Sequence, residues 1–168
     1  METVLFICVG NSDRSQMAEA FFNYLAKGEY KALSAGTNPA ASVDPTVLNV
    51  MREVGIDISN NLPKALTPEM MDQADRVVTM GCGAEKLCPA TWVQTEDWEL
   101  GDPKGQTIER AREIRDEIKA RVLKLLSQID KHESKWAELN DKLLRSPKMN
   151  HTGKGKIIQN IQITYCVE

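Results

Sequence analysis

The sequence predicts an α/β fold: a three-layer sandwich in which a four-stranded parallel sheet carries helices on both faces, followed by a C-terminal extension. Three observations lead there. Val4, Leu5, Phe6 and Ile7 form a short apolar run with no polar alternation, the pattern of a strand covered on both faces. Further strand-like runs alternate with amphipathic helical segments, the order that builds a parallel sheet. Turn and cap residues punctuate the junctions: Gly28, Gly36-Thr37-Asn38-Pro39, Asp44-Pro45, Gly55 and Thr67-Pro68.

The first strand, residues 4–7, places Cys8 at its carboxyl end. Gly10, Asn11, Ser12 and Asp13 are turn and cap formers, and residues 14–27 then set Met17, Ala20, Phe21, Tyr24 and Leu25 on one helical face. Gly28 ends that helix. Residues 30–35 read as a second strand. Asp44-Pro45 opens a second helix with Val47, Val50, Met51 and Val54 as its apolar stripe. Thr67-Pro68-Glu69 caps a short helix over 70–74, and residues 76–80 are a third buried strand. Trp92-Val93-Gln94-Thr95 is a fourth strand. Ile108, Ile114, Ile118, Val122, Leu125, Leu126 and Ile129 recur at helical spacing along a charged helix that closes the sheet.

The composition changes near Lys131, so residues 1–130 are read as one domain and 131–168 as an extension of unassigned role. Trp136, Leu139, Leu143 and Leu144 can continue a helix that Ser146-Pro147 breaks. Residues 148–156 are polar and contain glycine, as a loop or linker does. Residues 157–167 have β propensity and suit an edge strand or a tail that orders on contact.

A chain of 168 residues is long enough for a full core, and its net charge of -3 leaves no general nucleic-acid footprint. It has no apolar stretch of about 20 residues, and its opening segment lacks signal-peptide character. A cytoplasmic protein that binds neither nucleic acid nor membrane is expected. Four cysteines, at 8, 82, 88 and 166, argue against a secreted disulfide framework. Structural zinc usually shows two close pairs, and only the wider pair 82/88 is present, so no metal is expected. The two histidines, His132 and His151, lie outside the alternating pattern, which makes a Cys-His dyad improbable.

A loop between a strand end and a helix start turns backbone N–H groups toward its centre, where the helix dipole adds positive partial charge. Val9, Gly10, Asn11, Ser12, Asp13 and Arg14 are the candidate oxyanion-binding residues. Cys8 is the nucleophile and Arg14 the bidentate clamp. Ser15 is a hydroxyl donor to the sulfur, and Cys8 is expected to be largely thiolate at neutral pH. Asp102-Pro103 follows the fourth strand at the same sheet edge; Asp102 there is either a proton donor to a leaving oxygen or an ordinary helix-start aspartate. Gly81-Cys82-Gly83 follows the third strand, bringing Cys82 to the edge that carries Cys8. Cys82 and Cys88 form either a closable dithiol or, separately, a core filler and an incidental thiol. Cys166 reads as a chance thiol of the tail.

Cys8-Val9-Gly10-Asn11-Ser12-Asp13-Arg14-Ser15-Gln16-Met17-Ala18-Glu19, with Cys82, Cys88 and Glu96-Asp97-Trp98 to Asp102-Pro103, resembles the thioredoxin-coupled arsenate reductases of the low-molecular-weight tyrosine phosphatase fold. The resemblance covers about residues 3–130. Phosphatases of this fold share the first loop and the Asp-Pro but usually lack the Gln-Met-Ala-Glu sequence and the later cysteine pair. The resemblance implies a low-molecular-weight phosphatase-like sheet and a three-cysteine relay without a bound cofactor. Cys8 attacks arsenic, Asp102 protonates the departing hydroxyl, Cys82 attacks Cys8 to release arsenite, and Cys88 attacks Cys82. Thioredoxin or a similar dithiol protein then reduces the 82–88 disulfide. A two-electron reduction needs two thiols, whereas a phosphatase needs one.

The resemblance also marks three departures. Asp13 stands where the family often has cysteine, and its side chain is expected to point outward, away from the anion. Asn11, Glu19 and Ser34 match positions that help some members bind potassium, but Lys64 stands where those members carry aspartate. An ammonium that replaces the ion is implied, and with it activity insensitive to potassium. The tail after residue 130 is the third. Two other readings stay open: a phosphotyrosine phosphatase using Cys8, Arg14 and Asp102, and a non-catalytic arsenite- or oxyanion-binding protein.

Overall fold

The computed structural model describes residues 2–81 and 93–145. The chain divides into two compact units, Met1–His132 and Glu133–Glu168. The first holds the sheet. β1 (Thr3–Cys8) leads to α1 (Arg14–Ala26), β2 (Lys31–Gly36), α2 (Pro45–Glu53), α3 (Pro68–Asp72), β3 (Arg76–Thr79), β4 (Gln94–Asp97) and α4 (Ile108–Arg145). The strands are all parallel in the order β2-β1-β3-β4. From β1 the chain crosses to β2 on one side and later returns to β3 on the other, so the carboxyl ends of β1 and β3 form a switch point. Cys8 lies there, with Met80 N–H donating to the Ile7 carbonyl at 2.8 Å.

The pleat of β1 divides the core. Val4, Phe6 and Cys8 face a large cluster with Met17, Phe21 and Phe22 of α1, Val47, Val50 and Met51 of α2, and Ile114, Ile118, Val122 and Ile129 of α4. Leu5 and Ile7 face a smaller cluster with Ala35, Val77 and the partly buried Met70 and Met71 of α3. Each large side chain removed from water stabilises the fold by about 1.5–3 kcal/mol, which is why helices cover both faces. Phe22 meets Phe6 edge-on at 5.9 Å, and Trp98 packs on the same ring at 5.7 Å.

Several boundaries differ from the sequence reading. In α1 the buried face runs through Met17, Ala18, Phe21 and Phe22, while Tyr24 is 65% exposed. Two adjacent stripes satisfy helical spacing, and the one that meets Phe6 wins. The fourth strand is Gln94–Asp97 rather than 92–95, of which Trp92 lies outside the described residues. All four of its residues are exposed. Pairing with β3, Arg76↔Gln94 through Thr79↔Asp97, selects this segment, and hydropathy cannot report it. Asp102-Pro103 lies in the loop before α4 and does not start a helix. Asp44 and Thr67 cap α2 and α3 as their sequence context predicts. Among the described residues no helix is long and apolar enough to cross a membrane.

Candidate active site

The loop from Cys8 to Arg14 is shaped from outside. Thr37, Asn38, Ala40 and Asp44 donate their N–H groups to the carbonyls of Cys8, Val9, Gly10 and Ser12 at 2.8–3.1 Å. Those carbonyls are thereby held to the outside, away from the loop centre. Gly36 makes the close approach possible: a Cβ there would stand 2.7 Å from the Val9 carbonyl oxygen and 3.0 Å from Asn11 N. The loop residues Asn11 to Arg14 are buried, while Val9 is exposed.

Asn11 is the hub. It sits at φ 47°, a left-handed conformation that asparagine tolerates better than most residues. Its amide donates to Ser15 Oγ at 2.8 Å and to Ser34 Oγ at 2.9 Å. Its Oδ1 accepts from Lys64 N at 2.7 Å and Gln16 Nε2 at 3.1 Å. Because Ser15 Oγ accepts from Asn11, its own proton is free for the Cys8 sulfur 3.0 Å away. Asn11 N–H also donates to that sulfur, at 3.2 Å. Behind this layer Ser34 donates to Glu19, and the Lys64 ammonium reaches both Glu19 oxygens at 3.0 and 3.1 Å.

Arg14 is buried. Its Nη1 donates to the Leu100 carbonyl at 3.3 Å, and its Nη2 lies 3.5 Å from Asp102 Oδ2. Its Nε is buried and has no hydrogen-bond partner among the described residues. Gly81, at φ 64°, abuts Nη1, where a Cβ would stand 3.3 Å away. Asp102 is largely exposed and accepts from Lys104 N at 3.0 Å. Cys82, Cys88 and Cys166 lie outside the described residues.

Two expectations are corrected. Asp13 does not point outward. It is buried, its Oδ1 accepts the Arg14 N–H at 2.6 Å, and the Cys8 thiol donates toward it at 3.8 Å. The surroundings of Cys8 work against the expected thiolate: burial pushes its thiol up, with the Asp13 charge adding to it. The Ser15 hydroxyl and the backbone N–H groups of Ser15 and Asn11 oppose this only in part.

Sequence reasoning quoted Gln16 in its motif but gave it no role, whereas it joins Asn11 to Asn61 and the Leu62 carbonyl; it missed Gly36, whose only signal was a turn. It also missed Asp97, whose Oδ1 accepts from Thr79 Oγ1 at 2.5 Å at the end of β3.

A thiol on a strand end, inside a loop wrapped around a buried arginine and opening a helix, defines a cysteine-based oxyanion enzyme class. The model of the low molecular weight phosphotyrosine protein phosphatase family matches residues 3–135, and the chain belongs to that family. Within it, the glutaredoxin arsenate reductase of Synechocystis is 40% identical over 132 residues, 77% of this chain and 99% of that protein. A thioredoxin-dependent arsenate reductase from Corynebacterium glutamicum is 37% identical with a TM-score of 0.66. That match covers 77% of this chain but 62% of the other, so this chain spans less than two thirds of that protein. The arginine phosphatase from Geobacillus stearothermophilus has a TM-score of 0.73 at 25% identity, covering 80% and 97% of the two chains.

Proposed function

We propose that the protein reduces arsenate to arsenite with Cys8, Cys82 and Cys88 and is returned to its thiol form by thioredoxin or a similar dithiol protein. One observation carries the reading. Cys8 sits in an anion-binding loop beside a buried guanidinium, and Gly81, which abuts that guanidinium, is followed directly in sequence by Cys82. The kinship with arsenate reductases supports it further.

In the proposed sequence, loop N–H groups and Arg14 hold the arsenate oxygens while Cys8 sulfur attacks arsenic. The Asn11–Ser15 pair aims a hydroxyl proton at that sulfur and so favours its anionic form. Asp102 gives a proton to the departing hydroxyl, which leaves as water. Cys82 sulfur then attacks Cys8 sulfur. The S–As bond breaks with its electron pair going to arsenic, which becomes As(III), and the two sulfurs are left as a disulfide. Cys88 attacks Cys82, frees Cys8, and leaves the 82–88 disulfide for the partner dithiol.

The second reading is phosphate-monoester hydrolysis. The 3.5 Å approach of Asp102 to Arg14 favours it, since that pair and Cys8 are all such a reaction requires. Arsenate-dependent NADPH oxidation with thioredoxin and thioredoxin reductase, beside p-nitrophenyl phosphate hydrolysis, separates them. Arsenate turnover lost in Cys82→Ser and Cys88→Ser, with ester hydrolysis retained, is expected. Ester hydrolysis without any arsenate-dependent oxidation, also with a glutaredoxin system, would leave the phosphatase reading. Arsenite binding with neither activity would leave a binding protein.

A further inference from the structure

An oxyanion seat ordinarily offers hydrogen-bond donors and no resident negative charge. Here one is built in. Asp13 is 4% exposed, at the junction of the loop and α1. Its Oδ1 takes the Arg14 backbone N–H at 2.6 Å and lies 3.6 Å from Arg14 Nε and 3.8 Å from Cys8 sulfur. Its Oδ2 takes the Ser12 hydroxyl at 3.3 Å. These are the groups an incoming oxyanion needs. Arg14 Nε, buried and without a hydrogen-bond partner among the described residues, is a donor that Asp13 approaches but does not engage.

We propose that Asp13 is a resident competitor for the oxyanion seat, a carboxylate that occupies part of the donor set and sets the affinity for tetrahedral anions. The inference rests on the oxyanion seat of the function proposed above.

The argument is geometric. An anion within hydrogen-bond reach of both Cys8 sulfur and Arg14 Nε stands within a few ångströms of Asp13 Oδ1. Two charges at such separations repel by several RT at the effective dielectric of a partly buried site. The charged and titratable groups facing Asp13 are the Arg14 guanidinium on α1 and the Cys8 thiol at the end of β1, with Asp102 at another nitrogen of the same guanidinium. Arg14 therefore divides its charge among two carboxylates and any substrate. Asp13 has to turn away from the seat as an anion enters, giving up its contact with the Arg14 N–H.

The repulsion scales with the charge of the ligand, which separates it from a change of shape. Sulfate and perchlorate are tetrahedral ions bearing two charges and one. The experiment uses the full reduced chain and measures iodoacetamide labelling of the Cys8 peptide by mass spectrometry against each ion. The proteins compared are the native chain, Asp13→Asn and Asp13→Ser, both substitutions keeping a good helix cap.

The expected result is a half-protecting sulfate concentration lower by about tenfold in both variants, and a perchlorate concentration lower by only about threefold. Equal half-protection in native and variant proteins, or equal gains for the two ions, would overturn the role of Asp13 and leave the seat standing. No protection by either ion in any of the proteins would overturn the seat itself, and with it both this inference and the proposed reaction.

Discussion

Replacing Asn11 by alanine removes the side chain on which the loop's buried hydrogen bonds converge. Four are lost: to Ser15 Oγ, to Ser34 Oγ, and from Lys64 N and Gln16 Nε2. Each is worth about 1 kcal/mol net, and more where a buried partner is left without water. Alanine at φ 47° adds about 1 kcal/mol of backbone cost. The loss should therefore be about 4–6 kcal/mol, against a total of about 5–15 kcal/mol for an ordinary domain. Denaturant unfolding followed by tryptophan fluorescence reads it, since Trp98 is buried against Phe6. Asn11→Gly is the control for the backbone share and should recover no more than about 1 kcal/mol. Arsenate-dependent turnover should fall as well, because Ser15 loses the donor that frees its proton for Cys8. A loss under about 1 kcal/mol in the alanine variant, or a glycine variant nearly as stable as the native chain, would refute the hub.

Three more outcomes follow from the same geometry. Iodoacetamide labelling of Cys8 in the anion-free protein should rise with pH through a midpoint above that of an ordinary thiol, because burial, and then Asp13, raise it. The folded chain holds this proton more tightly than the unfolded one, so the group's contribution to stability is whole below the ordinary thiol range and is lost as pH rises from there through the raised value of the folded state; a midpoint at or below that of an ordinary thiol would refute this. Gly36→Ala drives a Cβ against the Val9 carbonyl and should cost about 1–3 kcal/mol and most of the turnover; native stability and rate in that variant would show the loop to be looser than described. Lys64→Met should cost only about 1 kcal/mol, because the pair with Glu19 is partly exposed, while turnover of the native chain stays flat on adding potassium; a clear rise would mean that the ammonium does not fill the place of an ion.

Much of the site was legible because its residues are contiguous. Cys8 to Glu19 lie on one strand end, one loop and one helix, so local chemistry alone assigns a thiol, a set of N–H donors and a clamp. The second layer was legible only through the family resemblance, which marked Asn11, Glu19, Ser34 and Lys64, and these residues do meet. The reach of Gln16 to Asn61 and Leu62 spans separations that no local pattern reports. The direction of Asp13 was read wrongly for a related reason. Charge alone argued for an outward carboxylate, but its position as the helix cap turns it inward onto the Arg14 N–H.

By itself the sequence determined the class of fold and the place of the loop that follows Cys8. Buried apolar strands, helical periodicity and cap residues are local, and a parallel sheet has few ways to join them. Tertiary structure decided which face of α1 is buried, where β4 pairs, and which way the Cys8 thiol is shifted. Each depends on what lies across the fold: Phe6 under Phe22, β3 beside an exposed polar strand, and a carboxylate near a desolvated sulfur. Burial and long-range charge are properties of the packed chain, and they are absent until the chain has packed.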